Sequence, residues 1–159
     1  PVDLRQLVET TARLARITLA RRGVSLDAPA PDTTVTANVD AEQVQRALLG
    51  IMLADTPSLR DGHLRITIAN RGDAAQIAVD LEGLASVPAV GDLFEAFPTT
   101  ACGHGLALAT AERLITNQHG AVKAEVIDGG VRYVIDLPLA HASRLASTQL
   151  QDHAPEHTC

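Results

Sequence analysis

Aromatic residues are nearly absent from this chain of 159 residues, which contains one tyrosine, two phenylalanines and no tryptophan. Because 46% of the residues are nevertheless hydrophobic, the core must consist of aliphatic side chains. A chain of this length buries roughly 70% of its unfolded surface, enough for one domain with a core. The sequence predicts one domain over residues 1–140 and a flexible polar tail over residues 141–159, where no apolar period is visible.

The chain also lacks a basic segment, a disulfide framework and a long apolar run. Its net charge of -6 argues against nucleic acid as a partner. Two cysteines, Cys102 and Cys159, fit a reducing cytoplasm. No run approaches the ~20 apolar residues of a membrane helix, so we expect a membrane connection only through a region preceding Pro1. His153 and His157 precede Cys159, but no predicted element holds these ligands in place, and we predict no metal site.

Three segments have the apolar spacing of amphipathic helices. They are predicted at residues 3–22, 41–55 and 106–118. Gly23 follows the first segment and Gly120 follows the third, and glycine commonly ends helices. Asp40 precedes the second segment and is a good N-cap.

Alternating apolar and β-branched residues predict strands between these helices. Two short strands are expected at residues 24–26 and 34–39, and two hairpins at residues 64–81 and 121–137. Residues 82–104 lack any period and predict a long loop. Helices grouped between hairpins favour an α+β fold, a two-layer sandwich in which three helices cover one face of a mostly antiparallel mixed sheet.

Motifs around the long loop carry a family resemblance. The chain's only phenylalanines lie in Leu93-Phe94-Glu95-Ala96-Phe97, and Gly103-His104-Gly105-Leu106-Ala107-Leu108 leads into the third helix. Gln118-His119-Gly120 follows that helix, and Gly130 to Pro138 resembles the ending Gly-x-Val-x-x-Val-x-Leu-Pro, with Arg132 and Ile135 at the two Val positions. In this order the motifs resemble the C-terminal ATP-binding domain of bacterial sensor histidine kinases, over about residues 1–138.

The resemblance implies a histidine-kinase-like ATPase fold with ATP and Mg²⁺ as ligands. It also implies a protein partner, either a response regulator or a kinase dimerisation domain. Phe94 and Phe97 would belong to a lid over the nucleotide pocket, and Gly83, Gly103 and Gly105 would line it. Gly103 and Gly105 lack Cβ, so the backbone can approach a phosphate at a helix N-terminus.

Several positions that the resemblance assigns to nucleotide contacts lack suitable side chains. Aligning Asp40 with the Asp that begins the family's second helix places its two polar residues on Gly50 and Ala54. Neither residue can coordinate Mg²⁺ or orient a water. The adenine-recognising Asp of the family falls on Leu81. A shift of one residue would use Asp80 instead, but would turn the apolar face of the strand outward.

No histidine has the sequence context of a phosphoacceptor, and we predict no catalytic residue. We therefore predict a degenerate histidine kinase domain that acts as a signalling interaction module with weak or no ATP binding. Two alternatives remain. The chain could be an active kinase domain that binds ATP through a non-standard pocket, or an anti-sigma-type or phosphotransfer regulator with the same fold.

Overall fold

The computed structural model describes residues 1–54, 59–84 and 104–140. Its elements are β1 (Val2–Asp3), α1 (Leu4–Arg21), β2 (Ser25–Asp27), β3 (Thr36–Ala37), α2 (Ala41–Ala54), β4 (Leu59–Arg71), β5 (Ala74–Leu84), α3 (His104–Asn117), β6 (Ala121–Ile127) and β7 (Gly130–Pro138). The three predicted helices and two predicted hairpins are present. The predicted tail at residues 141–159 and most of the predicted loop lie outside the described residues.

The main sheet has five strands in the order β2-β4-β5-β7-β6. β2 pairs parallel with β4, and the other neighbours pair antiparallel. A second, two-stranded sheet joins β1 to β3, and Leu139 forms a bridge to Ala37 beside it. The predicted α+β sandwich with a mixed sheet is confirmed.

An aliphatic core lies between the helices and one face of the main sheet. Its members come from all three helices and from the central strands, and they include Leu4, Leu19, Leu48, Ile51, Leu108, Ile115, Ile66, Ile77, Val79 and Ile135, each at most 1% exposed. The single tyrosine, Tyr133, is also fully buried. The alternating pattern of β4, β5 and β7 thus directs one face of the sheet inward and leaves the other face polar.

Carboxylate caps start two of the helices. The Asp3 carboxylate accepts a hydrogen bond from the backbone N–H of Arg5 at 2.9 Å, at the start of α1. The Asp40 carboxylate accepts from the N–H groups of Glu42 and Gln43 at 3.0 and 3.3 Å. These bonds satisfy helix donors that have no partner within the helix.

Some predicted boundaries were wrong. β5 continues to Leu84 because Glu82 pairs with Gly130 and Leu84 pairs with Leu59, and α3 begins at His104. Both ends of the predicted loop therefore belong to regular elements. After α3 the left-handed residue is His119, with a φ of 61°, rather than Gly120.

Candidate functional site

The residues that the resemblance assigns to the candidate site lie on α2, β5 and α3. Ala54 is the last residue of α2, Gly105 is the second residue of α3, and Leu81 and Gly83 lie near the end of β5. Gly103, Phe94 and Phe97 lie outside the described residues. The described part of the candidate site therefore comprises residues of this strand and of these two helices.

Leu81 points into the core on the helix side of the sheet. Its side chain is fully buried, and it pairs with Leu64 on β4 and Val131 on β7, which are also buried. Asp80 points to the opposite face, because neighbouring residues of a strand alternate. The helix side of β5 therefore presents methyl groups at this position, and the adjacent carboxylate is turned away from it.

Asp80 is bound by Arg132 on the outer face. The guanidinium donates two hydrogen bonds to the carboxylate, Nε to Oδ1 at 2.7 Å and Nη2 to Oδ2 at 2.9 Å. The hydrogen bond to Asp80, its negative charge and the more distant Glu125 raise the pKa of Arg132 above its ordinary value. This bidentate pair fixes the orientation of Asp80 and reinforces the inward direction of Leu81.

Glycines hold the end of β5 against the turn between β6 and β7. The backbone N–H of Gly83 donates to the carbonyl of Gly129 at 3.1 Å, and Gly83 has a φ of 91° that favours glycine. Gly130 lies so close to Leu81 that a Cβ at this position would overlap the Leu81 carbonyl. The strand end at Leu81 and Gly83 is thus fixed by packing of its backbone.

The two helices of the site approach closely at Gly50. A Cβ added to Gly50 would lie 3.6 Å from the carbonyl oxygen of Ala107 on α3, which is ordinary van der Waals contact. The nearest surroundings of Gly50 are therefore the backbone of α3. Val44, Leu48 and Ile51 bury the rest of the inward face of α2.

Gln118 connects the end of α3 to the start of α2. Its side-chain carbonyl accepts from the backbone N–H of Asp40 at 2.7 Å, and its amide donates to Oε1 of Gln43 at 2.9 Å. Gly120 then packs closely on β7, where a Cβ would lie 2.5 Å from the carbonyl oxygen of Asp136. The Gln118-His119-Gly120 motif is visible in the sequence, but the hydrogen bonds of Gln118 are not, since Asp40 and Gln43 lie more than 70 residues away in the chain.

Among the described residues, no three His, Cys, Asp or Glu side chains are grouped as metal ligands. His63 contacts the hydroxyl of Ser25 through Nδ1 at 2.7 Å. It pairs in register with Glu82, between Leu81 and Gly83, but alternation along β4 directs its side chain to the outer face, opposite to Leu64. A cavity of about 390 Å³, lined by residues such as Thr67, Ala78 and Arg132, lies on the outer face of the sheet. None of the helices in the described residues could cross a membrane.

Comparisons with known proteins identify the fold. No protein-family model and no curated protein matches the chain. Among solved structures, the catalytic domain of histidine kinase ThkA is 18% identical, with a TM-score of 0.71 over 86% of this chain and 93% of that one. The mycobacterial sensor histidine kinase MprB is 20% identical, with a TM-score of 0.72 over 87% and 97%.

A nucleotide-bound structure shows the same likeness. Full-length ShkA in complex with AMPPNP is 23% identical, with a TM-score of 0.72 over 88% of this chain and 31% of ShkA. The chain therefore has the fold of the catalytic domains of sensor histidine kinases, as the sequence motifs predicted.

Proposed function

We propose that this chain is a histidine-kinase-type catalytic domain whose nucleotide pocket has degenerated, and that it acts as a signalling interaction module with weak or no ATP binding. The fold it shares with ThkA and MprB supports the kinase-type origin. The main support for a degenerate pocket is Leu81, whose buried methyl groups occupy the inward position at the end of β5.

Leu81 bears on recognition of the base. An adenine amino group that enters an apolar site needs an acceptor, and leaving a buried polar group unpaired costs about 1–3 kcal/mol. Leu81 offers no acceptor, and the neighbouring carboxylate of Asp80 is bound to Arg132 on the other face. The resemblance assigns this position to the adenine contact, so specific recognition of adenine is lost in the proposal.

Gly50 and Ala54 bear on recognition of the metal. Mg²⁺ requires oxygen ligands in octahedral arrangement, and neither residue carries an oxygen on its side chain. Without the metal, the resemblance leaves the backbone N–H groups near Gly103 and Gly105 to compensate the negative charges of a triphosphate. The residues present therefore do not fit a Mg-ATP complex, and we derive no phosphoryl transfer through it.

The interaction role follows from what the fold retains. The core, the capped helices and the glycine-fixed end of β5 are intact, which supports a domain maintained for its surface. A response regulator or a kinase dimerisation domain is the partner implied by the resemblance. The alternative of an active domain with a non-standard pocket is favoured by one feature, the glycines kept at the start of α3.

Restoring the missing ligands tests the proposal. We expect the double substitution Ala54→Asn with Leu81→Asp to give the chain measurable ATP binding with Mg²⁺ by calorimetry, while each single substitution gives less. Circular dichroism and thermal unfolding of each variant are required, because Leu81→Asp places a carboxylate in a buried position. A folded double variant that gains no binding would contradict the assignment of these positions to a former nucleotide pocket.

A further inference from the structure

β6 forms one edge of the main sheet. It pairs with β7 on one side, and no described residue pairs with it on the other. One hydrogen bond on the other side of β7 determines in which direction the backbone groups of β6 point. Because the carbonyl of Gly129 accepts from Gly83 on β5, alternation directs the backbone groups of Gly130, Arg132, Val134 and Asp136 towards β6.

The outward backbone groups of β6 can therefore be assigned. The residues of β6 opposite these four are Ile127, Glu125, Lys123 and Ala121, and they bond inward to β7. Val122, Ala124 and Val126 are left with their N–H and C=O groups directed away from the sheet. Such a free edge is a template for pairing with another strand.

The side chains of β6 carry a charge pattern on the outer face. Lys123 and Glu125 are both exposed there. A row of alternating charge crosses all five strands and ends at this edge. In register order, the row is Asp27, Arg65, Asp80, Arg132 and Glu125. The last residue of the row, Glu125, lies on the edge strand itself. On the helix side, Val126 is 58% exposed. Removing this apolar surface from water would be favourable in free energy.

We propose that β6 pairs antiparallel with β6 of a second copy of this chain, about a two-fold axis at Ala124. This register places Lys123 of each copy opposite Glu125 of the other, and Val122 opposite Val126. It also matches the backbone, since Val122, Ala124 and Val126 are the residues with free polar groups. The two sheets then form one continuous sheet, and the charge row gains a lysine after Glu125.

Self-pairing fits this edge better than a foreign peptide does. A two-fold axis at Val122 or Val126 leaves Lys123 opposite Ala121 or Gly129, so the charges no longer match. A charged residue on an edge strand normally discourages unrelated strands. In the register centred on Ala124 the same two charges become two complementary pairs. The interface is isologous, as expected of a homodimer.

Charge exchange tests the proposed dimer on the full chain. Sedimentation equilibrium should show a monomer–dimer equilibrium. Lys123→Glu and Glu125→Lys should each weaken dimerisation by about tenfold or more, because each creates two pairs of like charge. An equimolar mixture of the two variants should dimerise again, since 123 and 125 are then complementary in the heterodimer. Arg13 is exposed on α1. Arg13→Glu makes the same change of charge as Lys123→Glu and should leave dimerisation unchanged.

Amide hydrogen exchange gives a second readout that does not depend on any variant. Raising the protein concentration should slow exchange at Val122, Ala124 and Val126, while Ala121, Lys123, Glu125 and Ile127 stay protected by β7 throughout. A wild-type chain that remains monomeric at about 1 mM would overturn the proposal. A mixture of the two variants that stays monomeric would also overturn it. So would exchange rates at Val122, Ala124 and Val126 that do not change with concentration, and slow rates of this kind would indicate that another segment of the same chain covers the edge.

Discussion

Gly129 and Gly130 are adjacent glycines that the structure requires for different physical reasons. Gly129 has a φ of 72° and open space around its Cα, so it supplies a left-handed turn. Gly130 has no positive φ, but it contacts the Leu81 carbonyl so closely that a Cβ would overlap it. The end of β5 near the candidate site therefore depends on the absence of one carbon atom at position 130.

Substituting these two glycines separates the two reasons. Gly129→Ala should destabilise the fold by about 1 kcal/mol, the usual penalty for a left-handed residue with a Cβ. Gly130→Ala should cost about 3 kcal/mol or more, because backbone rather than a flexible side chain must move. Urea unfolding of both variants measures the difference. Equal losses of stability, or a smaller loss for Gly130→Ala, would contradict the close packing of β7 on β5.

The ion pairs of the outer face differ in how much they stabilise the protein. The Asp80 side chain is 14% exposed and is bound twice by Arg132, whereas Arg65 and Asp27 are half exposed and 3.6 Å apart. A double-mutant cycle should give about 1 kcal/mol of coupling for Asp80 with Arg132, after allowing for the partly exposed guanidinium. The cycle for Asp27 with Arg65 should give at most about 0.3 kcal/mol. A coupling energy for Asp27 with Arg65 as large as that for Asp80 would be inconsistent with the geometry.

The pKa of Arg132 also predicts a pH dependence. Its folded pKa is raised, first by the hydrogen bond to Asp80 and then by the charge of Asp80. A group with a raised folded pKa contributes stability that is fully present below its unfolded pKa and is lost only above it. For an arginine this loss lies beyond ordinary alkaline buffers. The Arg132 contribution should therefore stay constant between neutral pH and pH ~10.

The side chain of Gln118 connects the end of α3 to the start of α2. Gln118→Ala removes two side-chain hydrogen bonds, to Asp40 and Gln43, and should destabilise the fold by about 2 kcal/mol. Gln45→Ala on α2 is a matched control, because the Gln45 side chain makes no hydrogen bond within the described residues, and its effect should stay within ~0.5 kcal/mol. Chemical unfolding measures both. Equal losses of stability in the two variants would show that the hydrogen bonds of Gln118 do not stabilise the contact between α3 and α2.

The elements also show what the sequence could predict. The helical stripe at Val44, Leu48 and Ile51 was visible because an apolar face repeats with a fixed period. β1 was missed because two residues carry no period, and its strand nature comes from pairing with β3. The parallel pairing of β2 with β4 and the charge row on the outer face depend on the register between distant strands, and local spacing does not encode that register.

At the scale of the whole molecule, the sheet separates two chemical environments. The helix side is aliphatic and includes Leu81, and the outer side carries the charged pairs. The carboxylate of Asp80, next to Leu81 in β5, thus points away from the helix side. The fold is that of a histidine kinase catalytic domain, and in our proposal the positions that the resemblance assigns to the base and the metal carry Leu81, Gly50 and Ala54.

The decisive measurement is calorimetry of the wild-type chain with ATP and Mg²⁺. At millimolar nucleotide we expect no saturable heat of binding, because Leu81 offers no acceptor to adenine and no side-chain oxygen at Gly50 or Ala54 holds the metal. Gly105→Asp serves as the control, since it places a negative charge at the start of α3. A dissociation constant below ~100 μM, about -5.5 kcal/mol, that is abolished by Gly105→Asp would contradict the account and establish a working nucleotide pocket.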